Sequence, residues 1–169
     1  MTTLEQLNAA PIREFVAVLG AIYEHSPWVA ERAAAGRPFG CKSDLLAAMC
    51  AAVRNAAPAE QLALIRAHPQ LGARGRNRAQ LTATSAQEQQ RAGLDACSDE
   101  EFAQLMKLNA AYVQKFSFPF ILAVRGHTPH SILAALTTRL SNDAASERAA
   151  ALAQIDLIAG LRLADVVMS

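Results

Sequence analysis

Residues 98–116 read SDEEFAQLMKLNAAYVQKF and carry the clearest helical pattern in the 169-residue chain. Ser98 and Glu101 have the spacing of a capping box, in which two side chains bind the free backbone N–H groups of a helix start. After this box, large apolar residues and one amide recur at intervals of three and four: Phe102, Leu105, Met106, Asn109, Tyr112, Val113 and Phe116. The spacing predicts a long amphipathic helix.

Helical patterns extend in both directions from this segment. Alanine, the best helix former, is abundant, aromatic residues make up only 5% of the chain, and few runs alternate as strands do. We expect further helices over residues 11–24, 27–35, 43–56, 59–67, 85–94, 128–141 and 143–165, with an irregular stretch over 69–83. The sequence therefore predicts an all-α protein, a single compact domain of about eight helices spanning residues 1–169.

Hydroxyl residues mark the expected starts of several helices. Ser26 before Pro27 and Thr128 before Pro129 are typical of a cap followed by proline at the first helical position. Ser43 is a third candidate cap, with Asp44 near the positive helix end.

The charge balance limits the classes of function. Sixteen basic and fifteen acidic residues give a formal net charge of +1, whereas binders of nucleic acid or of membrane surfaces carry a marked basic excess. No targeting signal and no apolar run long enough to span a bilayer is found, so we expect a cytoplasmic protein. The three cysteines, Cys41, Cys50 and Cys97, lack metal-site spacing and are expected to be reduced thiols.

His68 is the first candidate for chemistry. It follows the helix predicted over 59–67 and precedes Pro69. An imidazole exchanges a proton near neutral pH, which suits acid–base catalysis. A histidine at this place can also cap the last carbonyls of its helix, and the local sequence leaves both interpretations open.

The run Ser85, Ala86, Gln87, Glu88 and Gln89 is the second candidate. Ser85 and Glu88 have capping-box spacing, which alone explains them. The functional alternative places Glu88 and Gln89 beside a pocket, where a carboxylate can orient a histidine. The two interpretations are compatible, because a helix start also offers free N–H groups to an anion.

Arg162 is the third candidate because it continues an apolar stripe. Leu152, Ile155, Ile158 and Ala159 define the inner face of the last predicted helix, and the next step of three or four reaches Arg162. A charge at this place needs an anionic partner or a route to water. It is either a guanidinium that grips a planar acceptor or a side chain that reaches out to solvent.

The fourth candidate is the apolar segment FSFPFILAV at residues 116–124. Pro119 disfavours a helix, so we expect a short strand or an extended buried segment there. Its free backbone groups, walled by phenylalanine, are suited to read the edges of a flat heterocycle. The alternative is a segment that simply crosses the core.

Other candidates are weaker. His127 and His130 lack the cysteines or carboxylates that complete a metal site, and no metal is expected. Arg74, Arg76 and Arg78 are interpreted as a solvated loop. No phosphate-binding or dinucleotide-binding motif is present, so no cofactor is expected.

Together and in this order, the candidates resemble the 2-oxo-4-hydroxy-4-carboxy-5-ureidoimidazoline (OHCU) decarboxylase family. The matching blocks are SPWVAERAAAGRPF at 26–39, AHPQLG at 67–72, SAQEQ with the following AGL at 85–94, FPFILAVRG at 118–126 and IAGLRL at 158–163. One departure is Ser117, where the family usually has glycine.

The resemblance implies an all-α, cofactor-independent homodimer that converts OHCU to S-allantoin in urate breakdown. It implies that His68 is the catalytic histidine, and we expect Glu88 to tune and position it. The implied substrate contacts are Pro69, Ser85, Ala86, Gln87, Glu88, Gln89, Phe120, Ile121, Leu122, Ala123, Val124 and Arg162. The rival predictions are a helical small-molecule-binding module without turnover and a metal-binding bundle that uses His25, His68, His127 and His130.

Overall fold

A computed structural model describes residues 2–72 and 81–168 of the chain. Within these ranges the chain forms nine α-helices, one 3-10 turn and two strands of two residues each. The predicted all-α class, with about eight helices, is confirmed. The arginine run at Arg74, Arg76 and Arg78, and with it most of the irregular stretch predicted over 69–83, lies outside the described residues.

The helices group into two compact units, and the single domain over residues 1–169 stays a prediction. One unit comprises the chain up to Ala67 and the chain from Ile155 onward, and the other comprises His68–Gln154. The last helix contributes residues to both units.

The first unit holds the early helices and both strands. Its elements are β1 (Thr2–Thr3), α1 (Leu4–Ala9), α2 (Ile12–Leu19), α3 (Trp28–Ala33), the 3-10 turn Ala34–Gly36, α4 (Lys42–Arg54), α5 (Pro58–Ala67) and β2 (Val167–Met168). Helix α3 packs on α2 and α4. The core includes Phe15, Leu19, Val29, Leu45 and Met49, all fully buried. Strands β1 and β2 pair in parallel, with Thr2 opposite Val167.

The second unit holds α6 (Ala83–Arg91), α7 (Asp99–Phe116), α8 (Pro129–Arg139) and the first half of α9 (Ala144–Val166). Helix α7 packs on α8. The predicted apolar face of α7 supplies Leu105 and Tyr112 to the core, where they join Phe120, Ile132 and Leu136. No helix in the described part of the chain is long and apolar enough to cross a bilayer.

The predicted start of α7 is confirmed. The Ser98 N–H donates to Glu101 Oε2 at 2.9 Å, and the Glu101 N–H donates to Ser98 Oγ at 3.1 Å. Helix α8 likewise begins at Pro129 and is capped by Thr128, whose hydroxyl accepts from the Ser131 N–H. Where the capping pattern is unambiguous, the sequence therefore locates the helix start.

Three other predicted caps are wrong. Helix α6 begins two residues before Ser85, because Thr82 Oγ1 accepts the Ser85 N–H at 3.3 Å and takes the capping role. Helix α4 begins at Lys42 rather than after Ser43, with the Asp44 carboxylate accepting the Cys41 N–H. The Ser26 hydroxyl donates to the carbonyl of Glu24 and does not cap α3, which begins at Trp28.

The helix predicted over 11–24 is too long. Helix α2 ends at Leu19, Gly20 caps it, and His25 adopts a positive φ of 48° that a helix does not allow. His25 is thus the turn residue that its position before Ser26 and Pro27 suggests. Helix α1 has no counterpart among the predicted helices, and Thr3 and Gln6 cap it through reciprocal hydrogen bonds.

Candidate active site

His68 lies at the first position after α5 and is buried. Pro69 follows it and prevents the helix from continuing. The chain then turns through Gln70 and Leu71 to Gly72, where φ is +79°. A Cβ at Gly72 would lie 2.5 Å from Leu105 Cδ2, so the turn packs closely on α7 and requires glycine.

Two amide side chains fasten this turn. The Gln89 side chain accepts the Gly72 N–H at 3.0 Å through Oε1 and donates to the Gln70 carbonyl at 3.3 Å through Nε2. Asn109 of α7 donates from Nδ2 to the Leu71 carbonyl at 3.0 Å. Side chains from α6 and α7 therefore hold the backbone of Gln70, Leu71 and Gly72. Because these residues directly follow His68 and Pro69, they also restrict the position of His68.

The candidate residues of α6 divide by face. Ser85 and Gln89, four residues apart on one face, are both buried, and Ala86 and Glu88 are half-buried. Gln87 is exposed. Because Gln89 bonds to the turn, α6 brings the SAQEQ run into direct contact with the AHPQLG block.

The segment at residues 118–124 is neither helix nor strand, in agreement with the second predicted alternative. Phe120, Ile121, Leu122 and Val124 are buried, and Ala123 is half-buried. Arg139 donates to the Ile121 carbonyl at 2.5 Å, and the Ala123 N–H donates to Gln154 Oε1 at 2.9 Å. Side chains of α8 and α9 thus take the place of the partner strand that this segment lacks.

The departure at Ser117 has a structural counterpart. Ser117 ends α7 in the left-handed conformation, with φ of 62°, and its N–H donates to the Val113 carbonyl. Glycine adopts this conformation without strain, and serine does so at a cost. Glycine at this position would satisfy the same backbone requirement at the helix end without strain.

Arg162 belongs to the first unit and is 4% exposed. Its Nη1 donates to Glu24 Oε2 at 2.8 Å and to the Ile22 carbonyl at 3.3 Å. Glu24 is 2% exposed, so the pair is an ion pair almost wholly removed from water. The anionic partner that the position of Arg162 requires is therefore Glu24.

Four residues that support the candidate site were missed in the sequence: Glu24, Asn109, Arg139 and Gln154. Asn109 had a usable signal, since an amide on the apolar face of α7 needs a buried partner. Glu24 lies in a turn, and Arg139 and Gln154 lie in helices whose local sequence is not distinctive.

The metal-bundle alternative finds no geometric support. Among residues 2–72 and 81–168, no three His, Cys, Asp or Glu side chains gather closely enough to hold a metal ion. His127 instead contacts the hydroxyl of Ser131 at 3.0 Å, at the start of α8.

Comparison with known proteins gives full-length matches. The family model described as OHCU decarboxylase matches residues 8–164. A 2-oxo-4-hydroxy-4-carboxy-5-ureidoimidazoline decarboxylase of Haloferax volcanii is 42% identical over 163 residues, which cover 96% of this chain and 95% of that protein. The match therefore extends over nearly the whole of both chains.

Two further relatives are longer than this chain. The uric acid degradation bifunctional protein PucL of Bacillus subtilis is 41% identical, and the match covers 99% of this chain and 33% of that protein. A crystal structure of an (S)-allantoin synthase superposes with a TM-score of 0.82 at 33% identity and covers all of this chain, which spans 55% of that one.

Proposed function

The chain belongs to the OHCU decarboxylase family, and we propose on this basis that it is a carboxy-lyase that converts OHCU to S-allantoin in urate breakdown. The observation that carries the proposal is the bonding of Gln89 to the turn after Pro69. This bonding brings together the two sequence blocks that are most typical of the family. AHPQLG carries the candidate proton donor His68, and SAQEQ carries the candidate carboxylate Glu88.

The reaction needs no metal-bound nucleophile. The bond between the ring carbon and the carboxylate breaks and carbon dioxide leaves. The electron pair of that bond stays on the ring, where the neighbouring carbonyl and imine-like system delocalise it as an enolate. One proton then adds to one face of the ring. The protein must hold the carboxylate out of the ring plane, stabilise the charge that develops and deliver the proton from one side.

We assign the proton delivery to His68. His68 lies between the end of α5 and the turn that Gln89 and Asn109 hold. A donor held in this way delivers the proton to one face of the ring, which is required to give one enantiomer. Glu88, half-buried on α6, is the proposed carboxylate that tunes and orients the imidazole.

Gln89 and residues 120–124 are the proposed contacts to the ring and ureido edges. An amide side chain carries two N–H donors and an oxygen with two lone pairs. The two bonds to the turn use one donor and one lone pair of Gln89, so the same amide can also bind the substrate.

The role of Arg162 follows from the resemblance and from its pairing with Glu24. Because Glu24 balances its charge, we propose that Arg162 hydrogen-bonds a carbonyl oxygen that gains negative charge, rather than the leaving carboxylate. Tight binding of the carboxylate would stabilise the ground state and would not accelerate its loss.

We further propose a cytoplasmic homodimer that works without a cofactor. These three properties are inferred from the sequence and from the family resemblance. Sedimentation of the purified protein tests the dimer, and metal analysis of active protein tests the absence of a cofactor metal.

OHCU generated freshly from urate, with urate oxidase and the hydrolase, provides the decisive experiment. We expect the protein to accelerate OHCU decay, followed by absorbance, and to give S-allantoin, followed by circular dichroism. His68→Ala should lower turnover by at least about 100-fold, since general acid–base catalysis contributes a factor of that size or more. His130→Ala, at an exposed histidine, is the matched control and should retain turnover.

Folded wild-type protein that binds (S)-allantoin without accelerating OHCU decay would favour the binding-module alternative. Full turnover and stereoselectivity in His68→Ala would show that another group delivers the proton.

A further inference from the structure

A buried ion pair at the junction of α8 and α9 is not used by the proposed mechanism. Arg139, the last residue of α8, donates to Glu147 Oε1 from Nε at 2.8 Å and from Nη2 at 2.5 Å. Glu147 is fully buried, and the Arg139 side chain is 14% exposed. Tyr112 also donates to Oε1, and Asn142 donates to Oε2 at 2.7 Å. Such a fully bonded charge fixes the Arg139 side chain in one orientation.

The same guanidinium contacts two consecutive residues of the segment at 120–124. Its Nη1 donates to the Ile121 carbonyl at 2.5 Å, and its carbon lies 4.6 Å from the centre of the Phe120 ring. One side chain thus holds the backbone at Ile121 and covers the aromatic ring at Phe120. These contacts decide the orientation of both residues.

A non-helical buried segment depends on such contacts because it cannot satisfy its own backbone groups. Gln154 holds the Ala123 N–H two residues further along, and the His127 N–H donates to the Val124 carbonyl. The Arg139 bond is the one of these three that is charged, and it is also the one reinforced by a ring contact. Bonds from a charged donor are about twice as strong as neutral ones.

We propose that Arg139, itself held by Glu147, is a positioning residue that sets the shape of the substrate-binding wall at Phe120 and Ile121. This inference rests on the proposed function, which assigns residues 120–124 to the substrate. Arg139 acts through the wall and is given no contact with the substrate.

The planar fork of arginine explains why this residue type is required. Two of its nitrogens hold Glu147 while the third reaches Ile121, and its flat face covers Phe120. A lysine ammonium is a single point donor that can keep the charge balance with Glu147 but cannot do all three.

Arg139→Lys therefore tests the proposal without leaving a buried carboxylate uncompensated. With OHCU as substrate, we expect KM to rise about tenfold, the factor that corresponds to one lost charge-assisted hydrogen bond, and kcat to change less than about threefold. Binding of (S)-allantoin, measured by calorimetry, should weaken by a similar factor.

Asn142→Ala is the matched control. It removes a hydrogen bond to the other oxygen of the same carboxylate and leaves the bond from Arg139 to Ile121 in place. We expect a lower unfolding midpoint and a wild-type KM. A wild-type KM in folded Arg139→Lys would overturn the inference, as would an equal rise of KM in both variants.

A double variant, Arg139→Gln with Glu147→Gln, covers the case in which Arg139→Lys does not fold. It removes both charges together, so no charge is left alone in the core. A raised KM in this variant supports the positioning role, and an unchanged KM contradicts it. Wild-type protein without turnover would contradict the proposed function itself. An active wild-type protein and an Arg139 variant with the same KM would contradict this inference alone.

Discussion

Gly72 is the residue at which the backbone of the candidate site is most constrained. Gly72→Ala would place a side chain at positive φ and bring its Cβ to 2.5 Å from the buried Leu105. We expect it to lower the free energy of unfolding by about 2–4 kcal/mol, the sum of backbone strain and overpacking. Urea denaturation followed by circular dichroism measures the loss.

Gly126→Ala separates the two contributions. Gly126 also has a positive φ, of 83°, but a Cβ there would meet nothing within 4 Å. We expect a loss of about 1–2 kcal/mol, from backbone strain alone. Equal losses at the two glycines would mean that Leu105 moves aside without cost, and the turn after His68 would then be less tightly packed than the distances indicate.

Single residues also show how far the sequence can predict the site. The apolar stripe of α9 predicted that Arg162 needs an anionic partner, and the partner exists. The stripe gave no way to choose Glu24, which lies 138 residues away in a turn. Local periodicity identifies a residue that needs a partner, whereas only the fold decides which residue that partner is.

Thr82 is the cap of α6. Thr82→Ala removes the hydroxyl that accepts the Ser85 N–H and should cost about 1 kcal/mol of unfolding free energy, as the loss of other hydroxyl caps does. Thr84→Ala, at an exposed position inside the same helix, should leave stability unchanged or slightly raised, since alanine is the better helix former. Chemical denaturation of both variants provides the comparison. A larger loss of stability in Thr84→Ala than in Thr82→Ala would show that Thr82 is not the cap of this helix.

The error at this helix start has a physical origin. The run TATS at residues 82–85 offers three hydroxyl residues, and any of them can cap a helix. At α7 the hydroxyl of Ser98 stands alone before three acidic residues, and there the prediction is confirmed. Sequence alone locates a helix start when one candidate is present and is uncertain by two or three residues when several compete.

The segment at residues 118–124 shows the same limit for non-helical structure. Pro119 and the apolar run were enough to predict that the chain leaves the helix there. Its anchors could not be predicted, because Arg139 and Gln154 lie 18 and 31 residues further along the chain. They have no sequence signal apart from ordinary helix composition.

Across the whole molecule, buried phenols and a buried thiol should limit stability in alkali. Burial raises the pKa of Tyr23, with the neighbouring Cys50 and Asp156 adding to the effect, and burial together with the bond to Glu147 raises the pKa of Tyr112. Burial also raises the pKa of the Cys50 thiol. Groups with a raised pKa in the folded state stabilise it below their unfolded pKa, and this stability is lost as the pH rises above that value.

We therefore expect the free energy of unfolding to fall above about pH 9, where unfolded cysteine and then tyrosine release protons. Each phenol that stays protonated in the folded state lowers the free energy of unfolding by about 1.4 kcal/mol for every pH unit above pH 10. Tyr23→Phe should reduce this slope by about one proton, measured by urea denaturation from pH 7 to 12. An unchanged slope would mean that Tyr23 ionises in the folded protein as readily as in the unfolded chain.

The parallel pair of β1 and β2 has a consequence for protein engineering. Because Thr2 lies opposite Val167 and Thr3 opposite Met168, a short linker would suffice to join the two ends of the chain into a loop. New ends opened at the exposed residues Asp95 and Ala96, between α6 and α7, would give a circular permutant that keeps every helix intact. A folded permutant would show that the packing of these helices does not depend on the order in which the chain connects them.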